Sequence, residues 1–191
     1  MEVVIFVEGK EDKEFLESFL GNLKLMGNIK PDNIKPIEGN KIDDNVYQRI
    51  KKSKDDHCKV LLIFDADKDF ESTKNDLIKQ SKGLLYEDEI FLFPNNSSEG
   101  ELETLLFSIV QKDYQPIYEC FKCYKKCISS YNQDYANNIK KKSVRYAFFE
   151  ALGLVGKDKI KERKDGYPKF FDFGSPELKA LRDFLEKHLR T

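Results

Sequence analysis

Apolar residues along this chain come first as short uninterrupted runs and later as helical stripes. Glu2–Val7 (EVVIFV) is a β-rich run that ends at Glu8-Gly9. Residues 11–25 follow, with Phe15, Leu16, Phe19, Leu20 and Leu23 at spacings of three and four, the stripe of an amphipathic helix. Ile34–Ile37, interrupted by Pro36, reads as a weak second strand, and Gly39-Asn40 as a turn. Residues 43–54 predict a second helix with Val46 and Ile50 facing inward. Lys59–Phe64 (KVLLIF) is the strongest strand. Its near-continuous apolar character is that of a parallel strand covered on both faces, and it ends in Asp65-Ala66-Asp67. Residues 69–82 predict a third helix, and Ile90–Phe93 a fourth strand closed by Pro94-Asn95-Asn96.

Strand and helix therefore alternate through residues 1–106, which predicts an α/β fold: a four-stranded parallel sheet with helices on both faces. Residues 107–191 read as a mainly helical region packed on it, and the whole length suits one domain or one domain with a small appendage. Ser98 and Glu101 have capping-box spacing, so a helix is expected to begin near Glu99. Helical character then runs over 101–131 with a break at Pro116, and again over 138–152. Lys157–Lys169 reads as a charged loop. Pro176–Leu189 closes the chain as an amphipathic helix, with Ser175 as its cap and Pro176 at its first position.

Composition narrows the function classes. A hydrophobic fraction of 40% supports a real core, while charged residues make up 35%. The 33 basic and 34 acidic residues leave a net charge of −1, so no global positive field draws nucleic acid in. Contact with DNA or RNA would rest on local patches: Lys140–Lys142 with Arg145, and Lys157–Lys164. No apolar run approaches the length needed to cross a bilayer, and no basic segment followed by an apolar one opens the chain. The expectation is a cytoplasmic protein with no membrane partner. Cys58, Cys120, Cys123 and Cys127 are then expected as reduced thiols. The last three read either as a metal site or as one face of a helix, and three ligands fall short of the four that zinc requires. His57 and His188 lack motif context and are expected at the surface.

The candidate chemistry lies in acids at strand ends. Glu8 follows the first strand, Asp65 and Asp67 the third, and Glu103 starts a helix after the fourth. Ligands of parallel sheets sit beyond the carboxyl ends of the strands. In an extended Asp-x-Asp both side chains point the same way and can reach one hard cation, Mg²⁺ or Mn²⁺. Crowded acids either bind metal or leave one member protonated and able to move protons. A strand-end Asp can also simply cap the next helix. Asp12 either supports the site or favours the helix N-terminus. Lys10 and Lys68 either contact phosphate or offset carboxylate repulsion. Asn95 and Asn96 form a turn, orient the site or hydrogen-bond a substrate.

Val7-Glu8-Gly9-Lys10-Glu11-Asp12 resembles the first motif of the Toprim domain, and Phe64-Asp65-Ala66-Asp67-Lys68-Asp69 resembles its Asp-x-Asp motif. The closest similarity is to a branch of small bacterial Toprim-like proteins, in which Pro-Asn-Asn precedes Gly-x-Leu-Glu-x-Leu-Leu. Pro94–Asn96 and Gly100–Leu106 fit that pattern, as do Phe171-Asp172-Phe173 and Ser175-Pro176-x-Leu178. A more distant similarity is to the OLD-family nucleases. The resemblance implies Glu8 as general acid/base or metal ligand, Asp65 and Asp67 as Mg²⁺ ligands, and Glu103 as an acid helping to bind a second metal. None of the nine tyrosines stands out as a topoisomerase nucleophile, and no primase-type zinc finger is present, so neither activity is expected. The implied function is Mg²⁺-dependent phosphodiester or phosphoryl-transfer chemistry on nucleic acid, as a small nuclease. The alternatives are a non-catalytic, metal-dependent binding module and an interaction domain with a vestigial acidic site.

Overall fold

The computed structural model describes residues 2–190. Its sheet has four parallel strands in the order β2-β1-β3-β4. They are β1 (Val3–Val7), β2 (Ile34–Pro36), β3 (Lys59–Asp65) and β4 (Ile90–Phe93). Pro36 falls on the edge strand, where the missing N–H breaks no inner ladder. From β1 the chain steps outward to β2, then crosses back to place β3 on the other side of β1. The switch point of the topology therefore lies between β1 and β3, where open α/β sheets bind ligands.

The two sheet faces use alternate residues of the same strands. Val4, Phe6, Val60, Leu62, Phe64 and Leu92 pack under α2 (Asp44–Asp55) and α3 (Phe70–Gln80). Val3, Ile5, Val7, Leu61, Ile63 and Phe93 pack under α1 (Lys10–Asn22) together with the C-terminal helices. The C-terminal helices are α4 (Leu102–Ser108), α5 (Gln115–Tyr131), α6 (Gln133–Asn138), α7 (Lys141–Ala151), α8 (Ile160–Phe170) and α9 (Lys179–Leu189), of which α4, α7, α8 and α9 bury side chains in this core. Phe15 of α1 is the hub, meeting Phe93, Tyr167 and Phe173 edge-on at 5.9–6.0 Å between ring centres. Residues from both ends of the chain thus share one core.

Several local expectations give way to long-range contacts. The helix expected near Glu99 begins at Leu102, because Gly100, at φ +144°, forms an antiparallel bridge with Asp67 and keeps the chain extended. The break expected at Pro116 is present: α4 ends at Ser108, and the next helix begins at Gln115 with Pro116 in its first turn, where its fixed φ and missing N–H are tolerated. The expected 157–169 loop is mostly helix α8. Arg163 makes two bonds of 2.9 Å to Glu14, Lys164 reaches Glu17 at 2.8 Å, and Tyr167 and Phe170 are buried. Arg163 and Lys164 of the basic run are therefore tied to α1, while Lys159 pairs with Glu162 inside the run at 2.8 Å. His188 is also not at the surface. It is 2% exposed, lies 4.8 Å from the Phe184 ring and bonds the Asp88 carbonyl. His57 is exposed, as expected. Cys120, Cys123 and Cys127 are exposed on α5. No helix among the described residues is long and apolar enough to cross a membrane.

Candidate functional site

β1 and β3 are neighbours, with Val7 opposite Ile63. The residues that follow them therefore meet at the switch point. The Asp65 N–H donates to Glu8 Oε1 at 3.0 Å, and Asp65 Oδ1 accepts the Leu102 N–H at 2.8 Å. Asp65 is thus fixed from both sides, by its own strand and by the first turn of α4. Gly9 caps α1 in extended conformation, and its N–H donates to Asp12 Oδ2 at 2.7 Å, which ties Asp12 to the helix N-terminus. Asp67 sits at φ +54°, held by the bridge to Gly100, with Oδ2 accepting from Asn40 Nδ2 at 3.3 Å.

Glu8, Asp65 and Asp67, but not Asp12, line a cleft of about 490 Å³. Lys140, Lys141 and Lys142, at the start of α7, line it as well. Arg145, also on α7, is 3% exposed and reaches Glu103 at 3.2 Å and Glu11 at 3.5 Å. Arg145 is therefore not available to a nucleic-acid backbone, contrary to the sequence expectation. Its charge is consumed in pairing a carboxylate that is itself 2% exposed.

Burial drives the electrostatics. It pushes Glu8 from the usual 4.5 up to about 8; the Asp65 N–H works against this, and the charges of Asp12 and Asp67 add to it. Burial, then the charges of Glu8 and Asp12, hold Asp65 well above the usual carboxylate range. Burial likewise raises Asp12 to about 6, against its bond from Gly9. Burial pulls Lys142 down, but the fields of Glu103, Asp65, Asp12 and Glu8 outweigh it, so this lysine holds its proton more firmly than usual. Glu11 is pushed up by burial, yet Arg145 and the Tyr146 hydroxyl leave it below its usual value.

The remaining expected residues divide clearly. Lys10 pairs with Glu38 at 3.6 Å, and neither Lys10 nor Lys68 lines the cleft. Asp69 is the N-cap of α3, accepting from Ser72 N–H at 2.9 Å. Asn95 holds a tight turn by accepting from the N–H groups of Ser97 and Ser98, and Asn96 accepts the Leu92 N–H. Glu38, Asn40 and Glu101 line the cleft without having been singled out from sequence. Their signal was faint: Gly39-Asn40 read only as a turn. Gly100 matters more than its side chain suggests. A Cβ there would meet Pro94 Cδ and Thr104 Oγ1 at 3.0 Å, at a φ that L-residues avoid. Gly100→Ala is expected to cost more than about 1 kcal/mol, read as a lower denaturation midpoint at constant m-value.

The donor set suits one hard cation. Glu8 and Asp65 each commit one oxygen to a backbone N–H and keep the other. The free Asp65 oxygen and the Asp67 carboxylate at the rim, completed by water, fit one Mg²⁺, whereas Glu8, which burial keeps protonated at neutral pH, is not counted among the ligands. Glu103 does not fit as a ligand, because Oε1 is held by buried Arg145. Among the described residues, no group of three or more His, Cys, Asp or Glu converges to hold an ion.

The raised acids make stability depend on pH. Glu8 carries its proton in the fold up to about pH 8 but loses it near 4.5 when unfolded. Across that window the folded chain binds more protons, so stability falls as pH rises. Thermal melts in EDTA are expected to show Tm declining over this range. Glu8→Gln should flatten the slope, and Mg²⁺ or Mn²⁺ at pH 8 should raise Tm in wild type more than in Asp65→Asn. A slope unchanged by Glu8→Gln would contradict the assignment.

No curated protein matches this sequence, nor does any solved structure. Residues 2–190, almost the whole sequence, match the family described as "Protein of unknown function (DUF3226)", and the chain belongs to that family.

Proposed function

We propose that the cleft carries out Mg²⁺- or Mn²⁺-dependent phosphodiester hydrolysis on nucleic acid, in the manner of a small Toprim-type nuclease. The observation that carries this reading is half-buried Glu8 beside buried Asp65 at the switch point, in a cleft that Lys140–Lys142 also line. Asp65, with Asp67 at the rim, would hold the cation, and bound there it supplies positive charge against the phosphate and a more acidic water. The lysines attract the phosphate backbone into a cleft whose acids would otherwise repel it. Glu8, raised to about 8, holds a proton at neutral pH and can deliver it to a leaving oxygen, or accept one once a neighbouring positive charge lowers its affinity for protons. Leu102 N–H keeps Asp65 in place throughout.

One observation favours a second reading, a metal-dependent binding module that does not cut. Glu103, an acid the resemblance assigns to a second metal, is neutralised by Arg145. A mixed panel of single- and double-stranded DNA and RNA, incubated with Mg²⁺ or Mn²⁺, separates the two. Cleavage lost on chelation supports hydrolysis. Cation-dependent binding with every substrate left intact supports the module and ends the nuclease reading.

A further inference from the structure

We infer that the groove between α4, α5 and α7 is a track for single-stranded nucleic acid that leads out of the acidic cleft. The inference deepens the proposed function and rests on it for the identity of the cleft.

Helix α5 is 17 residues long and buries none of them, although its sequence carries an apolar face. Phe107 of α4 and Tyr118 and Phe121 of that face line a groove of about 430 Å³. The Phe107 and Tyr118 rings stack on one another, 4.5 Å apart, and so close one wall of it, which leaves Phe121, and Tyr124 beyond it, as the rings offered to a base. A second hollow of about 360 Å³ continues along the α5–α7 seam, shares Tyr118 and Phe121, and reaches Tyr124, which is 53% exposed.

Charge identifies the occupant. Lys122, Lys125 and Lys141 line the groove, and no carboxylate does. Lys122 lies 4.6 Å over the Tyr118 ring and reaches Glu119 at 2.9 Å. Lys125 has no acidic partner among the described residues. Lys141 lines both the groove and the acidic cleft, bonding Thr104 Oγ1 at 3.0 Å between them. Aromatic faces interleaved with cations stack unpaired bases and neutralise phosphates without reading sequence. Bases of a duplex are already stacked on one another and cannot lie on these rings. An apolar partner helix would be left with three lysines against its buried side.

The test uses the full chain in EDTA, so that binding is read apart from any cleavage. Because the sequence has no tryptophan, Phe121→Trp gives a fluorophore confined to the groove. Titration with an oligothymidylate of roughly 12 nucleotides should quench it, while a duplex of equal length should not. By anisotropy, Lys122→Glu with Lys125→Glu should weaken single-strand binding about tenfold or more. Lys79→Glu, on α3 away from the groove, sets the size of a nonspecific charge effect. No quenching, equal quenching by duplex, or a double variant that binds as well as Lys79→Glu overturns the track. If binding in EDTA follows this pattern but no cation brings cleavage, the nuclease reading fails and the track stands. If cleavage proceeds and the double variant binds and cuts normally, the track alone fails.

Discussion

Glu8→Gln is expected to reduce the proposed Mg²⁺-dependent cleavage by roughly a hundred- to ten-thousandfold, the span of a positioned acid or base. Gln is close in shape to Glu, and its carbonyl oxygen can still accept the Asp65 N–H. The variant should therefore fold, and in EDTA at pH 8 it should melt no lower than wild type, because it removes a carboxylate that burial raises to about 8. A loss of activity with retained Tm assigns the defect to chemistry. Cleavage within twofold of wild type would remove Glu8 from the reaction. The pH profile supplies a second reading: one limb of the wild-type activity should track the Glu8 ionisation and be missing from whatever activity the variant retains.

Arg145→Leu is expected to destabilise the fold by about 3–5 kcal/mol, since it leaves a buried carboxylate without its countercharge. Glu103 is 2% exposed, its nearest cation is Arg145 at 3.2 Å, and Glu11 loses the same partner. For a domain with a total stability of about 5–15 kcal/mol, that is a large share. Arg145→Leu combined with Glu103→Leu should recover most of the loss, because a buried pair replaced by apolar groups is often neutral. Urea melts of the single and double variants check this. Equal destabilisation in both would mean that Arg145 acts through packing, not through the pair.

The sheet was legible because each strand is covered on both faces and so appears as an unbroken apolar run; KVLLIF in β3 is the clearest. The acids were legible because strand ends mark where ligands bind, and Glu8 and Asp65 do meet there. What covers them was not. Arg163 and Glu14 are 149 residues apart, and nothing within either segment announces the pair. Without that contact, Lys157–Lys169 carries only charge and turn signals, so its helix is hidden. Lys140–Lys142 were visible as a basic run, but only the docking of α7 turns them onto the carboxylates. His188 shows the same limit: its burial depends on α9 lying against Asp88, 100 residues away. Ser98 and Glu101 have a spacing that fits a capping box, and the bridge from Gly100, between them, to Asp67 overrides it.

The shared core has a consequence for synthesis. Phe15 emerges from the ribosome early, but Tyr167 and Phe173, which enclose it, are translated more than 150 residues later. Until then that side of the nascent sheet is covered by α1 and α4 alone, and Glu8 and Asp65 lack the lysines that share their cleft. The growing chain thus cannot complete either this core or the lysine side of the cleft until its final third has been translated.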